Sequence, residues 1–258
     1  MYLIKLGGSV ITEKSTTATF RSSIMDELSA QIAQSGKDVL LVHGAGSFGH
    51  VLAKEYELVN GFYSDKQRYG FAATQAMVQT LNSYVLSSLH KHHLPAVSIP
   101  PHAMVRFRNQ EIETINMDFF KAYVKQGFMP VTYGDVVLDE KIGFSICSGD
   151  FLMLLLAEAF HPEKVIFVMD EDGVYTKNPK KFDDAEFLEC IRQDEIDSLQ
   201  TSLDEHADVT KGMGGKLQTI KKISSLQCDT VLVNGLVSNR LYEVLTDQSA
   251  VCTVVKGE

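Results

Sequence analysis

Apolar residues along the chain fall into two kinds of run. Short blocks rich in β-branched residues and leucine, at 2–6, 39–42, 96–99, 130–133, 164–169, 230–233 and 251–255, read as strands. Longer stretches between them, over 21–35, 70–90, 116–126, 149–159 and 215–225, read as helices. The 70–90 stretch shows the helical stripe most plainly, with Phe71, Ala72, Met77, Val78, Leu81, Val85 and Leu89 at three- and four-residue spacing. Residues 136–146 read as a β-hairpin turning around 139–143, and 183–206 form a polar, acidic excursion without a strong period. Strands alternating with helices predict an α/β fold: a three-layer α/β/α sandwich around a mainly parallel central sheet. Ligands of such sheets collect at the carboxyl ends of the strands.

Bulk properties narrow the classes. A chain of 258 residues suits one α/β domain or two intimately packed lobes. Hydrophobic residues at 45% and charged residues at 22% match a globular enzyme. A formal net charge of −9 argues against nucleic acid as a partner, since no basic excess exists to displace counterions from a phosphate backbone. The longest apolar run, 151–160, is interrupted by Glu158 and falls well short of the ~20 residues a membrane helix needs. The first residues enter a strand without a basic region or cleavage site, so a cytoplasmic location and no membrane partner are expected. Cys147, Cys190, Cys228 and Cys252 are too widely spaced for a metal knuckle and read as mostly buried thiols.

Five glycine-rich or acidic turns carry the candidate chemistry. In LVHGAGSFGH, ending at His50, a strand runs into a turn whose bare amides and following helix start would face an anion. The plainer reading is a tight strand-to-helix turn. In MYLIKLGGSV, Lys5 precedes Gly7, Gly8 and Ser9, and reads either as a cation reaching an anionic ligand or as an edge-strand lysine in water. Neither turn has the spacing of a Walker loop or a dinucleotide fingerprint. Ser148, Gly149 and Asp150 open a helix, as an anion site or as a simple N-cap. The strand at 164–169 ends in DEDGVYTKNP, where Asp170, Asp172, Tyr175 and Lys177 could orient a ligand or form a solvated acidic turn. DVTKGMGGK, with Gly212, Gly214 and Lys216, is a glycine loop opening a helix with a lysine placed for phosphate oxygens.

These motifs, KLGGS, HGAGSFGH, SGD, DEDGVYTKNP and DVTKGMGGK, occur in the order seen in the amino acid kinase superfamily, which the chain resembles over nearly its whole length. Within it the sequence looks like the isopentenyl phosphate kinases, whose mark is the histidine closing the second turn, His50, with a lysine shortly after the first loop, Lys14. Lys211 departs from the pattern, standing where the family often has glycine.

The resemblance implies ATP-dependent phosphorylation of isopentenyl phosphate in isoprenoid biosynthesis. The acceptor would sit in a lobe spanning about 1–159 and ATP in one spanning about 160–258, within a homodimeric enzyme. It also implies the roles. Lys5, Lys14, His50 and Lys216 would be catalytic, with Lys14 acting from the acceptor side. Gly7, Gly8, Ser9, Gly46, Asp170, Asp172, Tyr175, Lys177, Gly212 and Gly214 would join Lys5 and Lys216 around ATP. Gly8, Ala45, His50 and Gly149 would hold the acceptor phosphate, with Phe71, Thr74, Val136 and Ile146 walling its tail. Mg²⁺ is expected through ATP, with no protein ligand assigned. Fosfomycin-type phosphonate kinases share the histidine, and regulators without catalysis occur in the superfamily, so both remain as alternatives.

Overall fold

The computed structural model describes residues 1–14, 16, 18–177, 179–199 and 212–257. Asn178 and residues 208–211, which belong to two of the turns above, lie outside them, as does most of the far half of the 183–206 excursion. The main sheet contains β1 (Tyr2–Leu6), β2 (Val39–His43), β3 (Ala96–Ser98), β6 (Met129–Tyr133), β9 (Lys164–Met169), β12 (Cys190–Ile191), β13 (Thr230–Asn234) and β14 (Cys252–Val255). They lie side by side in the order β12-β14-β13-β9-β1-β2-β6-β3. From β13 to β3 every neighbouring pair is parallel, while β14 runs antiparallel to β13. A second sheet, in the order β5-β4-β7-β8, is built from β4 (Val105–Arg108), β5 (Glu111–Ile115), β7 (Asp135–Asp139) and β8 (Gly143–Cys147). Short β10 (Val174–Tyr175) and β11 (Phe187–Leu188) pair with each other.

Among the described residues the α-helices include α1 (Gly8–Ile11), α2 (Ser22–Ser35), α3 (Gly46–Glu55), α4 (Asp65–Lys91), α5 (Pro101–Met104), α6 (Asp118–Lys125), α7 (Gly149–Phe160), α8 (Gly212–Ser224) and α9 (Arg240–Leu245). Alternation along β1 sorts the layers. Tyr2, Ile4 and Leu6 pack with Met25 and Leu28 of α2, Leu81 and Val85 of α4 and Leu241 of α9. Leu3 faces the other way, with Leu152 and Leu156 of α7 and Leu217 and Ile220 of α8. Both faces of the sheet are thus covered, giving the three layers expected, and each core layer draws residues from both halves of the chain.

Several elements differ from their sequence outlines. The long helix begins at Asp65, five residues before the apolar stripe, because Ser64 and Gln67 form a capping box, with the Ser64 N–H donating to Gln67 Oε1 at 3.2 Å. The hairpin pairs Val136 with Ile146 as expected. Asp139 anchors it: the buried carboxylate accepts from Asn109 N at 2.9 Å, Gln110 N at 2.7 Å, Lys141 N at 2.9 Å and Ser145 Oγ at 2.7 Å. One side chain therefore ties the β7–β8 hairpin to the β4–β5 turn. No helix among the described residues is long and apolar enough to cross a membrane.

Candidate active site at the carboxyl edge of the sheet

Each central strand hands its neighbour one more hydrogen bond after it ends. The amides of Gly7, Gly44, Gly134 and Gly235 donate to Val168 O at 2.8 Å, Leu6 O at 2.9 Å, His43 O at 3.0 Å and Met169 O at 2.9 Å. These glycines follow β1, β2, β6 and β13, so the sequence-identified turns after β1 and β2 line one edge with two further glycine exits, and Asp170, following β9, lies among them. The first two turns meet backbone to backbone: a Cβ on Gly8 would lie 2.5 Å from Gly46 N. Gly46 also has φ of +50°, and a Cβ there would lie 2.2 Å from Thr12 Oγ1. That hydroxyl donates to Gly8 O at 2.7 Å and accepts from Ser47 N at 3.0 Å, bolting the turns together.

A cradle of amides lies beside this junction. A Cβ on Gly134 would sit 3.4 Å from Gly149 N and 3.5 Å from Ala45 N, so both nitrogens flank the same bare backbone. Gly149 opens α7 and Ala45 is the N-cap of α3, positions whose N–H groups have no intrahelical acceptor. Ser148 is the N-cap of α7, accepting from Phe151 N at 3.2 Å, as its plain reading held. Two helix starts converging on one point make a site for an anion.

Lys5 projects from β1 toward α7 and α8, and β1 is central, which rules out the edge-strand reading. The residue is 7% exposed. Its Nζ donates to Asp150 Oδ1 at 2.6 Å, and Lys216 Nζ reaches the same oxygen at 3.2 Å. Both ammonium groups lie over the Phe167 ring, at 5.9 and 5.2 Å from its centroid. Burial, then the neighbouring Lys216 charge, lowers the Lys5 pKa to about 8 against the partial support of Asp150. Burial pushes the Asp150 carboxyl up, but the two lysines outweigh it and hold the pKa below the ordinary value. Asp150 was read as a capping or anion-facing residue; it instead clamps two lysines that come from opposite ends of the chain.

His50 stands exposed on α3, one turn along from Gly46, with its pKa lowered by burial against the surrounding protein and then by the Lys5 charge. Asp170 accepts from Ser9 Oγ at 2.7 Å and from Lys14 Nζ at 2.6 Å, so Lys14 is brought to the acidic turn and not onto the amide cradle. Asp172 accepts from Asn234 Nδ2 at 3.0 Å and pairs with Arg240, bracing the exits of β9 and β13. Tyr175 packs edge-on to Phe187 at 5.3 Å, and Lys177 pairs with Asp184. Gly212 and Gly214 lie in the first turn of α8, which carries Lys216.

The four residues expected to wall the acceptor's tail lie on the β7–β8 hairpin and in the first half of α4. Val136 packs with Leu58, Phe144 and Phe71, the last two rings 5.2 Å apart. Ile146, register partner of Val136 and therefore on the same hairpin face, is 40% exposed and stands at the rim. Thr74 is buried one turn along α4 from Phe71, with a hydroxyl that has no hydrogen-bond partner. Phe144 was missed, although its alternation with Ile146 on one strand was visible in the sequence. No cluster of three or more His, Cys, Asp or Glu suited to a metal ion occurs among the described residues.

Comparison with known proteins agrees with this geometry. Residues 1–234 match the profile of the amino acid kinase family. The chain is 36% identical to the isopentenyl phosphate kinase of Methanothermobacter thermautotrophicus over the full length of both. It is 31% identical to that of Thermoplasma acidophilum, covering 99% of this chain and 100% of the relative. An isopentenyl phosphate kinase solved by X-ray crystallography superposes with a TM-score of 0.88 at 32% identity, covering 99% of this chain and 100% of the other. The chain therefore belongs to the amino acid kinase family, with isopentenyl phosphate kinases as its full-length relatives.

Proposed function

We propose that the protein transfers the γ-phosphoryl group of ATP to isopentenyl phosphate, giving isopentenyl diphosphate and ADP. The observation that carries this reading is the pair of helix-start amides, Ala45 N and Gly149 N, flanking Gly134, with Lys5 and Lys216 clamped on the adjacent Asp150; around it the proposal sets His50 at the mouth and the apolar cluster on the far side. A phosphate monoester, with its second pKa near 6, is largely dianionic at neutral pH, so its oxygen attacks without a strong general base. The obstacle is the approach of two anions. Catalysis then consists of positioning and charge neutralisation, which suits a site richer in cations and amides than in bases.

In this reading the acceptor phosphate receives hydrogen bonds from Ala45 N, Gly149 N and His50, with Gly8 beside it. The apolar tail lies against Phe71, Val136 and Phe144, with Thr74 and Ile146 at its margins. Lys5 and Lys216 face the transferring group, and Asp150 keeps their ammonium groups together in the absence of phosphate. Gly8 and Ser9 supply first-loop amides to ATP, with Gly7 holding that turn to β9 and Gly46 beside it from the second turn, while Gly212 and Gly214 supply those of α8. Asp170, Asp172, Tyr175 and Lys177 shape the nucleotide side, where Lys14 balances Asp170. Acceptor binding thus falls to about 1–159 and ATP binding to about 160–258. Mg²⁺ would enter on ATP oxygens, beside Asp170, and neutralise phosphate charge there. A homodimer working in the cytoplasm, in isoprenoid biosynthesis, completes the proposal.

An apolar cluster beside the cradle favours a prenyl tail over the small polar phosphonate fosfomycin. A buried Lys5 and a partly buried Lys216 meeting at one carboxylate favour catalysis over sensing, because a domain that only binds has little use for transition-state cations. Coupled ADP release should be fast with isopentenyl phosphate and slow with fosfomycin or glutamate; the reverse order would refute the assignment.

Two further outcomes follow. Lys5 must be charged to neutralise the transferring group, and its pKa of about 8 places its deprotonation within reach. The kcat/KM for ATP should therefore fall as pH rises through about 8, while the limb in kcat lies higher because bound phosphates favour the ammonium. A flat profile from pH 7 to pH 10, on the order of a thousandfold in proton activity, would remove Lys5 from the chemistry. Phe71→Ala should relax chain length. Each methylene is worth about 0.8 kcal/mol once buried, so space opened beside Phe144 should raise the geranyl-to-isopentenyl phosphate rate ratio about tenfold. A lowered Tm with an unchanged ratio would make Phe71 ordinary core.

A further inference from the structure

His43 is a buried titratable group that the chemistry above leaves unused. It closes β2, is 0% exposed, and stacks on Tyr133 with ring centroids 5.1 Å apart. Its Nδ1 lies 3.1 Å from Gly44 O and its Nε2 3.3 Å from Asn82 Oδ1. Asn82 Nδ2 is 2.8 Å from Ser98 Oγ, which also bonds Tyr133. Burial lowers the ring's pKa to about 4, so at neutral pH His43 carries one N–H, not two. One N–H cannot serve two acceptor oxygens. The conflict vanishes when the Asn82 amide is turned end for end, an orientation set by its hydrogen bonds. Asn82 Nδ2 then donates to Nε2, Ser98 Oγ donates to Asn82 Oδ1, and the ring's Nδ1–H is left for Gly44 O.

That carbonyl belongs to the peptide unit that carries the Ala45 amide. In a planar trans peptide the C=O and N–H point to opposite sides, so a carbonyl held on the ring turns the N–H away from it. Ala45 N lies beside Gly134, across from Gly149 N. Gly44 brings little rotational stiffness of its own to that peptide. We propose that His43 is a positioning residue for the acceptor phosphate: its Nδ1–H tautomer pins the Gly44–Ala45 peptide so that the Ala45 N–H stays aimed into the cradle. This rests on the reading that the acceptor's phosphate occupies that cradle.

The test pairs two variants with two spectroscopic readings. His43→Leu removes the pin, whereas His43→Asn places an amide N–H near the former Nδ1. For His43→Leu, KM for isopentenyl phosphate should rise about tenfold or more while KM for ATP stays within about twofold, as expected for one lost hydrogen bond to a charged group. His43→Asn should recover to within about threefold of wild type. In the wild-type protein, imidazole ¹⁵N shifts should report an Nδ1–H tautomer, and the Ala45 amide should shift on adding isopentenyl phosphate. An Nε2–H tautomer overturns the proposal even if neither variant folds. Equal rises in both KM values, or none, overturn it too and leave the acceptor site standing, provided Ala45 responds. A silent Ala45 removes the acceptor reading and the proposal together.

Discussion

Lys5→Met should lower kcat by about 10²–10³-fold, the usual cost of deleting one preorganised group that stabilises charge developing in a transition state. The fold should not suffer with it. Lys5 has its pKa depressed from 10.5 to about 8, so the folded state holds its charge at a cost. That cost is fully present below pH 8 and fades as pH rises from 8 to 10.5, above which the lysine becomes neutral in folded and unfolded chains alike. Methionine keeps the stem's packing and removes the charge, while Asp150 retains Lys216 at 3.2 Å. At pH 7 the Tm of the variant should therefore match or exceed wild type while turnover collapses. Loss of activity accompanied by an equal loss of folded protein would mean that Lys5 is structural.

His50→Ala should lower kcat/KM for isopentenyl phosphate by about 10–100-fold, because a hydrogen bond to a charged phosphate is worth about 1.5–3 kcal/mol. The ring lies at an exposed mouth, so truncation leaves no cavity in the core and Tm should barely move. His50→Gln should keep more activity, since an amide N–H still donates. Burial, and then the neighbouring Lys5 charge, hold the free imidazole's pKa below the usual histidine value, and a bound dianion acts in the opposite direction. Steady-state rates at limiting and saturating acceptor, with nucleotide affinity measured separately, check this. Wild-type kinetics in both variants would remove His50 from the acceptor site.

Much of this site could be read from the chain because its parts are local. The turns after β1, β2 and β9 each pair a recognisable strand with glycines or carboxylates, and strand alternation brings their ends to one edge. What escaped notice depends on distance or on weak local signals. Asp150 looks like a helix-start residue, and nothing near it in sequence indicates that it meets Lys5, 145 residues earlier, and Lys216, 66 residues later. The sequence reads α3 as a helix start without an extent, because its glycines lower helix propensity; they are needed where Gly46 meets Thr12 and where a Cβ on Gly49 would lie 2.9 Å from Val78 of α4. β4 alternates buried and exposed residues, yet its four positions are too few to stand out beside the charged side chains of Arg106 and Arg108. The His43 relay was invisible for a different reason: its partners come from α4, β3 and β6, and each reads as ordinary core.

With a prenyl monophosphate as acceptor, ³¹P NMR of the wild-type protein turning over ATP and isopentenyl phosphate follows the transfer itself. The phosphomonoester singlet should give way to two coupled diphosphate resonances, at the same rate at which ADP appears. An unchanged monoester signal, while ATP is consumed with glutamate or fosfomycin as acceptor, would contradict that choice of acceptor.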